Sequence, residues 1–113
     1  MAAESHKRVL RAANDAVARG DYAGFLEYCT EDTVWNFIGD RTLRGKTEVL
    51  QWMEATYIHP PKNSVDRMIA EGDSVVAIGR ITTTDGTTKT TSEYCDVWTL
   101  RHGRLAVVHA FVV

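Results

Sequence analysis

Asp96 is a carboxylate where a strand should carry an apolar residue. The stretch from Ser92 to Arg101 reads S-E-Y-C-D-V-W-T-L-R. Successive side chains of a strand point to opposite faces, so Tyr94, Asp96, Trp98 and Leu100 share one face and Glu93, Cys95, Val97 and Thr99 the other. An apolar environment disfavours the anion and raises a carboxyl pKa. A carboxylic acid kept neutral in this way can donate a hydrogen bond to the oxyanion that develops on a reacting carbonyl. The other role open to Asp96 is that of a structural acid, paired with Arg80 or a backbone donor. If Asp85-Gly86 forms a two-residue hairpin turn, Arg80 lies opposite Thr91, five residues along the strand from Asp96. That is about 16 Å at the usual strand rise, too far for an ion pair, so an unpaired acid is expected.

Other residues are candidates for contact with a ligand. Trp35, Trp52, Tyr57, Tyr94 and Trp98 supply aromatic surface, and their convergence would suit a small apolar or aromatic metabolite. Trp52 is expected to close the pocket from a helix. His109 alternates away from Val108 and Ala110, which places it in the core or at a subunit interface. No metal set is expected, because His6, His59, His102 and His109 have no ligand spacing, and no cofactor motif such as a Gly-rich phosphate loop is present.

The composition fits this picture. The chain has 113 residues, 44% hydrophobic and 25% charged, with a net charge of −2, which suits one globular domain over residues 1–113. No basic stripe offers a footprint for nucleic acid. No apolar run reaches the ~20 residues of a membrane span, and the N-terminus lacks the apolar core of a signal peptide. The cytosol is the expected location, with Cys29 and Cys95 reduced.

These residues need elements to position them. Ser5 to Arg19 predicts a helix with Val9, Leu10, Ala13 and Val17 on its apolar stripe and Ser5 as its cap. Asp21 would cap a second, short helix running to Cys29. Thr33 to Ile38 predicts a strand. Lys46 to Tyr57 predicts a third helix, stopped by Pro60-Pro61. Strands follow over Ser64–Glu71, Ser74–Thr84, Thr87–Arg101 and after His102-Gly103, the last expected to be covered on both faces. Helices segregated from antiparallel strands mean α+β. A long twisted sheet must curl, so the expected architecture is a curved antiparallel sheet wrapped around helices, a cone with an apolar interior.

At this point the chain resembles a family. Gly20-Asp21, Glu31-Asp32-Thr33-Val34-Trp35, Arg44-Gly45, Tyr94-Cys95-Asp96-Val97-Trp98 and Gly103-Arg104-Leu105 occur in the order found in the nuclear transport factor 2-like superfamily, in its SnoaL-like and ketosteroid-isomerase-like branches. The resemblance implies the cystatin-like roll, with an apolar pocket between the curled sheet and the third helix, and a homodimer paired through the opposite sheet face. It implies a cofactor-independent isomerase, cyclase or hydrolase acting on an apolar metabolite, with Asp96 as the matching acid. SnoaL-like polyketide cyclases would ask Asp96 or His109 to protonate a carbonyl. The chain also departs from its relatives. Asn36, a candidate orienting amide, stands at the isomerase base and Ala13 near its tyrosine, while Thr82 and Ala110 stand where epoxide hydrolases of this fold carry acids beside an arginine matched by Arg80, a candidate polar anchor. These departures suit a non-catalytic ligand-binding or dimeric scaffold protein.

Overall fold

A computed structural model gives the structure of the protein and describes residues 2–113. The elements run α1 (Ala2–Ala18), α2 (Tyr22–Leu26), β1 (Cys29–Phe37), β2 (Thr42–Arg44), α3 (Gly45–Thr56), β3 (Lys62–Glu71), β4 (Ser74–Asp85), β5 (Thr88–Arg101) and β6 (Arg104–Val112). The α+β class expected from the sequence is the class observed. The six strands form one sheet in the order β2-β1-β6-β5-β4-β3. All pairs are antiparallel except β1 with β6, which run parallel.

The helices cover one face of the sheet. α1 buries Leu10, Ala13 and Ala16, and α3 buries Val49 and Met53. Between them α2 presents Phe25 and Leu26 to the core. Gly20, at φ +78°, lets the chain turn sharply between α1 and α2. Asp21 then caps α2, its Oδ1 accepting from the Gly24 N–H at 2.9 Å.

Several boundaries differ from expectation. α1 starts before Ser5, which lies exposed within the helix and does not cap it. α2 stops at Leu26, because Cys29 opens β1 by pairing with Leu105 of β6. Glu31 and Asp32 therefore lie in β1, both exposed, and pair with Lys46 and Arg101. Ile38 falls just outside that strand, and Thr42–Arg44 adds a short edge strand before α3. β6 is covered on one face only, since Phe111 is 44% exposed and His109 is exposed beside it.

The β4–β5 hairpin turns at Gly86-Thr87, with Asp85 facing Thr88. That puts Arg80 opposite Glu93 rather than Thr91. The inner face of β5 is Tyr94, Asp96, Trp98 and Leu100, as its alternation predicts, and Leu100, Trp98 and Tyr94 are buried there. Across β5 the inner rows are Gly79–Tyr94–Val112, Ala77–Asp96–Ala110 and Val75–Trp98–Val108. Asp96 is thus flanked by two alanines, which leave the space above it unfilled.

Candidate functional site

The hollow over Asp96 is a cavity of about 100 Å³. Its deep wall is aromatic: Phe25 from α2, Trp35 and Phe37 from β1, and Trp98 from β5, with Met53 of α3 behind. Trp35 is the hub of this wall. Its ring lies 5.5 Å from Phe25, 5.8 Å from Phe37, 5.9 Å from Trp52 and 6.1 Å from Trp98, each edge to face, the arrangement that aromatic quadrupoles favour. The Trp35 Nε1–H is buried without a hydrogen-bond partner. The mouth is rimmed by the exposed Ala18, Asn63 and Val112.

Asp96 is half-buried in this wall. Among the described residues no cation reaches it within ion-pair distance and no donor hydrogen-bonds to it. Burial pushes its carboxyl pKa from 3.8 up to about 7. It is the only carboxylate among the described residues of the cavity lining. Two tyrosines share its surroundings. Burial, with the Asp96 charge adding to it, pushes Tyr57 and Tyr94 up to about 12, so both stay neutral O–H donors at physiological pH. The Tyr94 hydroxyl donates to Asn63 Oδ1 at 2.5 Å. The Tyr57 ring closes the mouth beside Tyr22, whose hydroxyl donates to the Tyr57 carbonyl at 2.6 Å.

The sequence-derived candidates divide between the two faces of the sheet. Trp35, Tyr57, Tyr94, Asp96 and Trp98 line the cavity. Trp52 does not line it but buttresses it, with its ring 5.0 Å from Phe37 and 5.2 Å from Tyr57. Arg80 is not an anchor here. It alternates with the inward-facing Gly79 and Ile81 and lies on the outer face, where it pairs with Asp66 at 3.6 Å. Asn36 is likewise no orienting amide. Trp35 and Phe37 point inward, so Asn36 between them points out, beside His109, and its Oδ1 accepts from the Thr42 hydroxyl at 3.2 Å. The alternation of β1 also carries the missed residue, Phe37, which shares a face with Trp35.

Trp52→Ala is expected to cost about 2 kcal/mol, less than the 3–5 typical of a fully buried Trp, because the ring is half-buried and its contacts are aromatic edges. Urea denaturation measures it. A change under about 0.5 kcal/mol would mean that α3 does not brace the aromatic wall.

Comparison with known proteins agrees with the fold. The SnoaL-like domain family matches residues 10–108. The chain belongs to this SnoaL-like family, within the nuclear transport factor 2-like superfamily. No curated protein matches it. Among solved structures it is similar to an LEH-like epoxide hydrolase of M. tuberculosis, at TM-score 0.90 and 16% identity over 98% of this chain and 84% of that one. It is also similar to an NTF2-like protein of unknown function from Burkholderia pseudomallei, at TM-score 0.82 and 20% identity over 94% and 88%. TerC, co-crystallised with polyporic acid, aligns at TM-score 0.81 and 18% identity over 94% and 89%. At such identities the likeness concerns the fold. Among the described residues no helix is long and apolar enough to cross a membrane.

Proposed function

We propose that the protein is a cofactor-independent enzyme of the isomerase or cyclase kind, moving a proton on a small apolar or aromatic carbonyl metabolite. The observation that carries this reading is Asp96, an uncompensated carboxyl in an aromatic cavity with its pKa raised to about 7. A group titrating near working pH can take a proton and return it in one turnover. The ionised carboxylate removes a proton from the carbon beside the carbonyl, leaving an enolate and a neutral Asp96. The neutral acid then gives that proton back at a different carbon. The Tyr57 hydroxyl, neutral and near Asp96, would donate to the enolate oxygen. Hydrolysis of the epoxide-hydrolase kind has less support, since Arg80 lies on the other face.

The test is hydrogen–deuterium exchange into a panel of enolisable ketones of one to four rings, followed by NMR. At least one member should exchange, with a rate that rises through about pH 7 as Asp96 ionises. Asp96→Asn should lower that rate by about 100-fold or more. Exchange indifferent to Asp96→Asn would sink the reading. A second reading, a non-catalytic binder, is favoured by the absence of a second carboxylate from the described lining; saturable binding with no exchange anywhere in the panel would establish it.

The protein also pairs as a homodimer under this reading. The outer face of the sheet carries the row Phe111–Cys95–Ile78, with Phe111 44% and Ile78 38% exposed. A contiguous apolar face of this kind is costly to leave in water. Sedimentation at micromolar concentration should give twice the chain mass, and Phe111→Asp should give the monomer. A monomeric wild type would contradict it.

A further inference from the structure

We infer that the cavity admits a single-ring carbonyl compound and excludes substrates with fused rings, a limit set by the aromatic wall of this chain. The inference deepens the reading of Asp96 as an acid–base group toward a carbonyl and rests on it. Two independent observations support the limit. The first is volume. The cavity holds about 100 Å³, whereas drug-sized ligands occupy pockets of roughly 300–1,000 Å³. An engineered apolar cavity of about 150 Å³ takes benzene, so this smaller one has room for at most a single ring, with any substituent projecting past Asn63.

The second observation is spacing along β5. Tyr94 and Trp98 stand on the same strand face with Asp96 midway between them. Four residues of strand separate their Cα atoms by about 13 Å, and each aromatic side chain takes a share of that length. The remaining gap, floored by Asp96 and Ala110 with Ala77 paired beside Asp96, has the length of one ring. Neither end can retreat easily. Tyr94 is tied by its hydroxyl to Asn63 on β3, and Trp98 is packed against Phe25 and Trp35. A ligand ring in this gap sits with its carbonyl oxygen over Asp96. A second fused ring would have to displace Trp98 or Tyr94.

The experiment uses the full chain labelled with ¹⁵N. Its three tryptophans, Trp35, Trp52 and Trp98, all belong to the wall or its buttress, so their indole N–H signals report occupancy. The probes are acetophenone, acetylnaphthalene and progesterone, with one, two and four rings. Acetophenone is expected to shift these signals saturably and to bind at least about tenfold more tightly than either larger ketone. General hydrophobicity alone would produce the opposite order. Acetylnaphthalene or progesterone binding as tightly as acetophenone would overturn the inference while leaving Asp96 as the acid. The expected size order with equal binding to wild type and Asp96→Asn would uphold the size limit and remove the carbonyl–Asp96 contact. Failure of every ketone to bind would overturn both. Phe37→Ala, or the milder Phe37→Leu if the first does not fold, should open the wall and bring acetylnaphthalene to within about threefold of acetophenone. A fold-retaining variant that left the discrimination intact would show that the wall does not set it.

Discussion

Asp96→Asn is expected to make the protein more stable at pH 8, by about 2–4 kcal/mol, and to leave stability at pH 4 nearly unchanged. The folded-state pKa of about 7 lies above the ordinary value of 3.8, so the folded protein holds this proton more tightly than the unfolded chain does. The associated stability is fully present below about pH 4. It is lost progressively as pH rises to about 7, and the loss is then constant. Each unit of difference is worth about 1.4 kcal/mol, so the full shift is about 4 kcal/mol; water reaching the half-buried carboxyl through the mouth lowers this towards 2. An asparagine has nothing to ionise and escapes the loss. Urea denaturation of both proteins at pH 4 and pH 8 measures the difference. An asparagine variant that is less stable at pH 8 would mean that the carboxylate is held by a compensating partner, and the acid–base reading would fail with it.

Gly79→Ala is expected to destabilise the protein by about 3 kcal/mol, the upper part of the range for forcing atoms into packed space. A Cβ at position 79 would lie 2.1 Å from the Ser64 carbonyl oxygen and 3.0 Å from the Tyr94 hydroxyl. The first neighbour is backbone, so β3 must move away from β4 rather than a side chain turn aside. Gly79 faces Val65, beside the point where the β3–β4 register shifts between Val65 and Arg67. Replacing a strand glycine ordinarily gains about 0.5–1 kcal/mol from reduced unfolded-state freedom; the backbone clash outweighs this. The Tyr94–Asn63 hydrogen bond at the pocket mouth should be lost with it. Urea denaturation and the pH dependence of the Tyr94 ring signals check both effects. An alanine variant as stable as the wild type would contradict the close approach of β3 at this point.

Much of the pocket was legible in alternation alone. The inner face of β5 follows from Tyr94, Asp96, Trp98 and Leu100 at every second position, and the raised carboxyl follows from their chemistry. The two misplaced residues, Asn36 and Arg80, came from matching positions to relatives rather than from parity. Trp35 and Phe37 must share a face, so Asn36 cannot join Trp35. Likewise, any two-residue turn at Asp85-Gly86 or Gly86-Thr87 pairs the even-numbered Arg80 with an odd-numbered residue, which sets it on the face opposite Asp96. Other features have no local signal. The parallel pairing of β1 with β6 joins Cys29 to Leu105 across most of the chain, and it drew Glu31 and Asp32 into a strand despite their poor strand propensity. The cavity depends on two alanines, Ala77 and Ala110, meeting on either side of Asp96. Only the register brings them there.

Proton transfer in this pocket turns on the ionisation of one carboxyl, and ¹³C NMR titration of the Asp96 side chain reads it directly. The predicted midpoint is about 7, the value to which burial raises it. A midpoint below about 5, close to the ordinary carboxylate range, would show a solvated or ion-paired aspartate and contradict its role as the proton-transferring group of the pocket.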